Sequence, residues 1–113
     1  MRESRSIAPR DLEIAKEFIR RLAERVDRQT FEVTLYGSRA RGDAEEESDL
    51  DLFVTLKRDD PGGQIKAIAR HIACDLTLEF GILVSPFVAD WEYLRRHQGY
   101  ALLEAVEEEG VLL

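Results

Sequence analysis

Residues 31–54 constrain this chain more than any other stretch, because they force an extended run, a glycine break and a second extended run into close succession. Phe31–Tyr36 (FEVTLY) is β-branched and aromatic at strand spacing, and Gly37-Ser38 interrupts it just before residues able to start a helix. A chain that turns in this way points backbone N–H groups outward at the helix start, where they favour anionic oxygens. After ten intervening residues, Asp49-Leu50-Asp51 opens another apolar run. Side chains alternate along a strand, so Asp49 and Asp51 leave one face while Leu50 and Leu52 leave the other.

Two carboxylates spaced by two strand residues lie about 6–7 Å apart, and they repel by roughly 2–3 kcal/mol at an effective dielectric of about 20. A divalent cation turns that repulsion into attraction. Magnesium (Mg2+) fits such a pair because it takes carboxylate and phosphate oxygens and keeps several waters, whereas zinc favours Cys and His. Gly37 removes the side chain that would block a phosphate, and Ser38 supplies a hydroxyl. Arg39 and Arg41 stand near enough to contact a triphosphate or an acidic neighbour. Ser48, directly before the acidic pair, completes the candidate nucleotide-binding set of Gly37, Ser38, Arg39, Arg41 and Ser48. Asp49 and Asp51 are the candidate catalytic and metal-ligating residues. Gly-Ser turns are common on surfaces and Asp-Leu-Asp occurs in solvated strands, so the conjunction of the two is what points to a metal-dependent nucleotide site.

With 113 residues the chain fits one domain, residues 1–113, that buries roughly 60–70% of its unfolded surface. The 16 Lys and Arg against 23 Asp and Glu leave a net charge of -7, which opposes adhesion to long nucleic acids or anionic lipid. No apolar run approaches the roughly 18 residues of a membrane span, and residues 1–10 lack the apolar core of a signal peptide, so no membrane association and a cytoplasmic location are expected. The single cysteine, Cys74, reads as packing, and His71 and His97 as isolated polar residues.

Apolar spacing predicts a first helix near residues 9–27 and a strand at 30–36. A turn and short helix follow at 37–42, an acidic loop at 43–48 and a strand at 49–56. Pro61-Gly62-Gly63 ends that segment, and a second long helix runs to a left-handed cap at Gly81. A third strand is expected at 82–88, with Pro86 pointing to an edge or a bulge. Asp90 is placed to cap a short helix through His97, with Trp91, Tyr93 and Leu94 facing the core. A last helix covers residues 100–109, before a short apolar tail. The fold class is α/β (α+β): a small mixed sheet of three to four strands packed against helices, with one sheet face left open for a ligand or partner.

The Gly37-Ser38 turn followed by Asp49-Leu50-Asp51 resembles the signature of the polymerase-beta-type nucleotidyltransferase superfamily, and the compact length resembles its minimal nucleotidyltransferase (MNT) members. Leu78-Glu79-Phe80-Gly81, the strand at 82–88 and Glu109-Gly110-Val111 extend the likeness over nearly the whole chain. The resemblance implies that Gly37 and Ser38 bind the triphosphate of ATP or another NTP and that Asp49 and Asp51 hold magnesium. A nucleoside monophosphate, AMP from ATP, then passes to an acceptor hydroxyl. It further implies a HEPN-domain partner, the chain acting as an MntA-like antitoxin that adenylylates that partner in a toxin–antitoxin pair. The acceptor would come from such a partner or from a second subunit of a homo-oligomer. One position departs from the family: the third strand carries Ser85 where a third carboxylate is usual, which leaves a binding module without turnover as the alternative. A two-component transferase acting on a small hydroxylated molecule ranks lower, because only two short helices follow residue 90.

Overall fold

The first helix, α1 (Pro9–Ala23), starts on a proline in its first turn and buries Ile14, Ala15, Phe18 and Leu22 along one stripe. It stops before residue 27 because Asp27 accepts from Gln29 N at 3.0 Å and caps a 3-10 turn instead, although Val26 still packs on the core. The computed structural model describes residues 7–113; the parts of the one-domain expectation and of the signal-peptide reading that fall on residues 1–6 lie outside the described residues.

Strand β1 (Phe31–Tyr36) and strand β2 (Leu50–Leu56) pair antiparallel, with the four-residue helix α2 (Ser38–Arg41) and the acidic loop inserted between them. Helix α3 (Gln64–Phe80) then crosses to β3 (Val84–Ala89), which pairs parallel to β2. Asp60 anchors the start of α3 by accepting from Ile65 N and Lys66 N at 2.9 and 3.1 Å, and Gly81 ends it in the left-handed conformation (φ 72°). Helices α4 (Trp91–Arg96) and α5 (Ala101–Glu109) follow. The terminal Val111–Leu112 is more than an apolar tail: it forms β4, antiparallel to β1, giving a mixed four-stranded sheet in the order β3-β2-β1-β4.

One sheet face presents Phe31, Val33, Leu35, Leu50, Leu52, Val54, Leu56, Val84 and Val111 to α1 and α3, and this is the main core. Each fully buried Leu or Phe there contributes about 1.5–3 kcal/mol. The other face carries a smaller cluster, in which Phe53, Ala89 and Val106 pack with Tyr36, Phe87, Tyr93, Leu94, Leu102 and Leu103 beneath α4 and α5. The edge strand β3 resists strand addition, since Val84 N donates to Thr77 Oγ1 at 3.0 Å and Pro86 has no N–H to offer. Two expectations of packing fail: Cys74 lies on the exposed side of α3, and Trp91 remains 54% exposed while Tyr93 and Leu94 turn inward.

Candidate active site

Strand register assembles the site. Tyr36, Asp51 and Ser85 are partners across β1, β2 and β3, so their side chains share the face away from α1 and α3. Asp49 precedes β2 by one residue and is exposed; Asp51 is half-buried. Burial pushes the Asp51 carboxyl above its ordinary range, and the charge of Asp49 raises it further. Burial, then the charge of Asp51, then Tyr93 push the Tyr36 hydroxyl up to about 12, so it stays neutral near pH 7.

The turn lies directly against this pair. Gly37 adopts φ 80° and ψ −161°, and a Cβ there would sit 2.6 Å from Asp51 Oδ2. Only glycine permits both the backbone angle and the approach of the carboxylate. No side chain caps α2, which leaves its first amides to an anion, and Ser38 stands half-buried at that start. Gly37, Ser38, Asp49 and Asp51 are therefore one neighbourhood.

The remaining candidates are placed differently. Arg39 turns inward instead of toward a triphosphate: Nη1 donates to Asp11 Oδ1 and Oδ2, Nε to Ser48 O, and Nη2 to Glu46 O and Glu45 O. All three guanidinium nitrogens are hydrogen-bonded, so the fork faces α1 and the acidic loop. Arg41 meets acidic neighbours, Asp43 at 3.2 Å and Glu109 at 3.1 Å, on the rim beside the turn. Ser48 Oγ accepts from Glu45 N at 3.0 Å and closes the acidic loop. Sequence reasoning missed Asp11, although a carboxylate on the apolar stripe of α1 is itself a sign of a buried partner.

Other carboxylates are occupied elsewhere. Asp90 Oδ1 accepts from Tyr93 N and caps α4, and Glu79 pairs with Arg21 at 2.6 and 2.9 Å. Asp75 is exposed on α3, behind the opposite sheet face, 3.9 Å from His71 Nε2. His97 stacks on Tyr93. Among the described residues no group of three or more His, Cys, Asp or Glu side chains converges on one point. Asp49 and Asp51 thus bring two hard oxygen donors with unrelieved like charge beside the uncapped start of α2. That fits magnesium, which uses one or two carboxylates and completes its shell with phosphate oxygens and water.

The nucleotidyltransferase domain family matches residues 15–109. The chain belongs to that family. This nucleotidyltransferase is 36% identical over 77 residues, 68% of its length and 77% of the relative's, to the Methanocaldococcus jannaschii protein called "Putative protein adenylyltransferase MJ0141". It is 28% identical over 98 residues to a second protein of that organism, "Putative protein adenylyltransferase MJ0604", covering 87% and 92% of the two chains. Its fold matches a chain in the crystal structure of a mutant of the toxin–antitoxin MntA-HpeT, with a TM-score of 0.57, 18% identity and 87% and 70% of the two chains covered. That structure shares the α+β architecture described above. Among the described residues no helix is long and apolar enough to cross a membrane.

Proposed function

We propose that this nucleotidyltransferase uses magnesium and ATP to place AMP on a hydroxyl of a partner protein, and that the partner is the HEPN-domain toxin of a toxin–antitoxin pair. The observation that carries the reading is the contact between turn and acidic pair: Gly37 must lack a side chain because the carboxylate of Asp51 occupies that space. Gly37, Ser38 and the first amides of α2 would hold the triphosphate, with Arg41 and Ser48 at the border of the site. Asp49 and Asp51 would hold the cation, which neutralises developing charge on the phosphates. The acceptor oxygen then bonds to the α-phosphorus and pyrophosphate leaves, with positioning supplying much of the rate. A protein acceptor is supported by the names of the two relatives, and a toxin partner by the likeness in fold to a chain of the toxin–antitoxin MntA-HpeT.

Labelled ATP, magnesium and the co-encoded partner protein test this together. Label should appear on the partner and vanish for Asp49→Ala with Asp51→Ala; no label under any condition would remove the transferase claim. A second reading has its own support, since Ser85 stands beside Asp51 in the register and offers a neutral hydroxyl where a base would be useful. In that reading the chain neutralises its partner by binding alone. Neutralisation at wild-type strength by the double alanine variant would select it.

A further inference from the structure

Asp11 stands on the buried stripe of α1 with Ile14, Ala15, Phe18 and Leu22, and is only 3% exposed. It pairs with Arg39, itself 9% exposed, at 3.0 and 3.1 Å. A buried ion pair is often no more stable than apolar residues of similar volume, so space-filling does not account for it. The other side of the guanidinium does. Nε donates to Ser48 O at 2.9 Å, and Nη2 donates to Glu46 O at 3.1 Å and Glu45 O at 3.4 Å. These carbonyls belong to the acidic loop, which has no helix or strand of its own and delivers Asp49 to the start of β2. Within the loop, Ser48 N donates to Glu45 O at 3.0 Å while Ser48 Oγ accepts from Glu45 N.

We infer that the Asp11–Arg39 pair is a positioning device for Asp49: the carboxylate on α1 orients the guanidinium fork, the fork fixes the loop carbonyls, and the loop aims Asp49 at Asp51. The inference rests on Asp49 acting as a cation ligand. It makes a core residue of α1, with no place at the nucleotide, a determinant of cation affinity. A lysine keeps the charge of Arg39 but cannot reproduce a planar fork with donors on three sides.

The test uses the full chain with Mn2+ as the cation probe, read by electron paramagnetic resonance, beside steady-state transfer. Arg39→Lys should weaken Mn2+ binding by about 10- to 100-fold, as loss of an outer partner of a metal ligand does. The loss of transfer should appear in kcat and in the cation requirement, with KM for ATP at saturating cation changed by no more than about twofold. Amide exchange should accelerate over residues 45–49 and not in β1. Asp11→Asn, which retains an acceptor oxygen, should move the same readouts less and carries the test if Arg39→Lys does not fold. A rise in KM for ATP at unchanged Mn2+ affinity would assign Arg39 to the nucleotide and overturn the inference. Mn2+ affinity equal to wild type in a folded variant would overturn it too, as would wild-type protein that binds no Mn2+. Absence of transfer in wild type, with Mn2+ affinity still dependent on Arg39, would overturn the transferase reading alone.

Discussion

On one face of β2, Leu50, Leu52, Val54 and Leu56 are sealed under α1 and α3; on the other, Asp51 stands half-buried with Asp49 beside it and only part of the face covered by α4 and α5. The same strand thus carries a dry apolar surface and an acidic surface whose charges repel. The difference teaches where stability resides. Burial on the first face holds the strand in place so firmly that the second can keep like charges together, an arrangement that costs stability and that a bound cation would relieve.

Asp51→Asn should break the contrast most severely. Transfer should fall by about 1000-fold or more, since several kcal/mol of charge stabilisation are lost and each 1.36 kcal/mol is a factor of ten. The free protein should lose no stability. The raised pKa of Asp51 means that folding disfavours its ionised form, a cost absent below the ordinary carboxylate pKa, growing as pH rises above it and complete once pH passes the raised value, so removing the charge removes the cost. A melt in EDTA should show an unchanged or slightly higher Tm; a fall of several degrees would contradict the account.

Leu52→Ala probes the opposite face. It should cost about 2–5 kcal/mol in urea unfolding through the cavity left in the main core, while activity per folded molecule stays at the wild-type level. Gly37→Ala joins the two effects at smaller scale. A left-handed backbone angle strains a Cβ by about 1–3 kcal/mol, and the displaced Asp51 carboxylate should lower transfer by more than the loss of folded protein accounts for. The smallest effect is in pH. As pH falls, Asp51 should take up its proton, and lose cation affinity, earlier than an ordinary carboxylate would. Asp49→Asn removes the second cause of that shift, so the proton uptake of Asp51, followed by carboxyl NMR, should move to lower pH.

The acidic face was legible in the sequence because period-two alternation and a glycine break are local signals. Asp49, Asp51, Gly37 and Ser38 share one neighbourhood as the spacing predicts, and Pro86 marks the edge strand. What escaped depends on contacts distant in sequence. Nothing local shows that Arg39 turns inward, because its charged partner there is Asp11 on the stripe of α1, 28 positions away. Val111–Leu112 is too short for periodicity to reveal, and its pairing with Thr34 and Leu35 is set by the tertiary fold. Cys74 and Trp91 are ordinary core residue types that helix phase leaves outside.

A crystal structure with magnesium and an ATP analogue that cannot be cleaved between its α- and β-phosphates tests the central claim most directly. The account predicts one cation about 2.0–2.1 Å from carboxylate oxygens of Asp49 and Asp51, sharing phosphate oxygens of a nucleotide held over Gly37-Ser38. A nucleotide seated away from that turn, or a cation that engages neither aspartate, would contradict it.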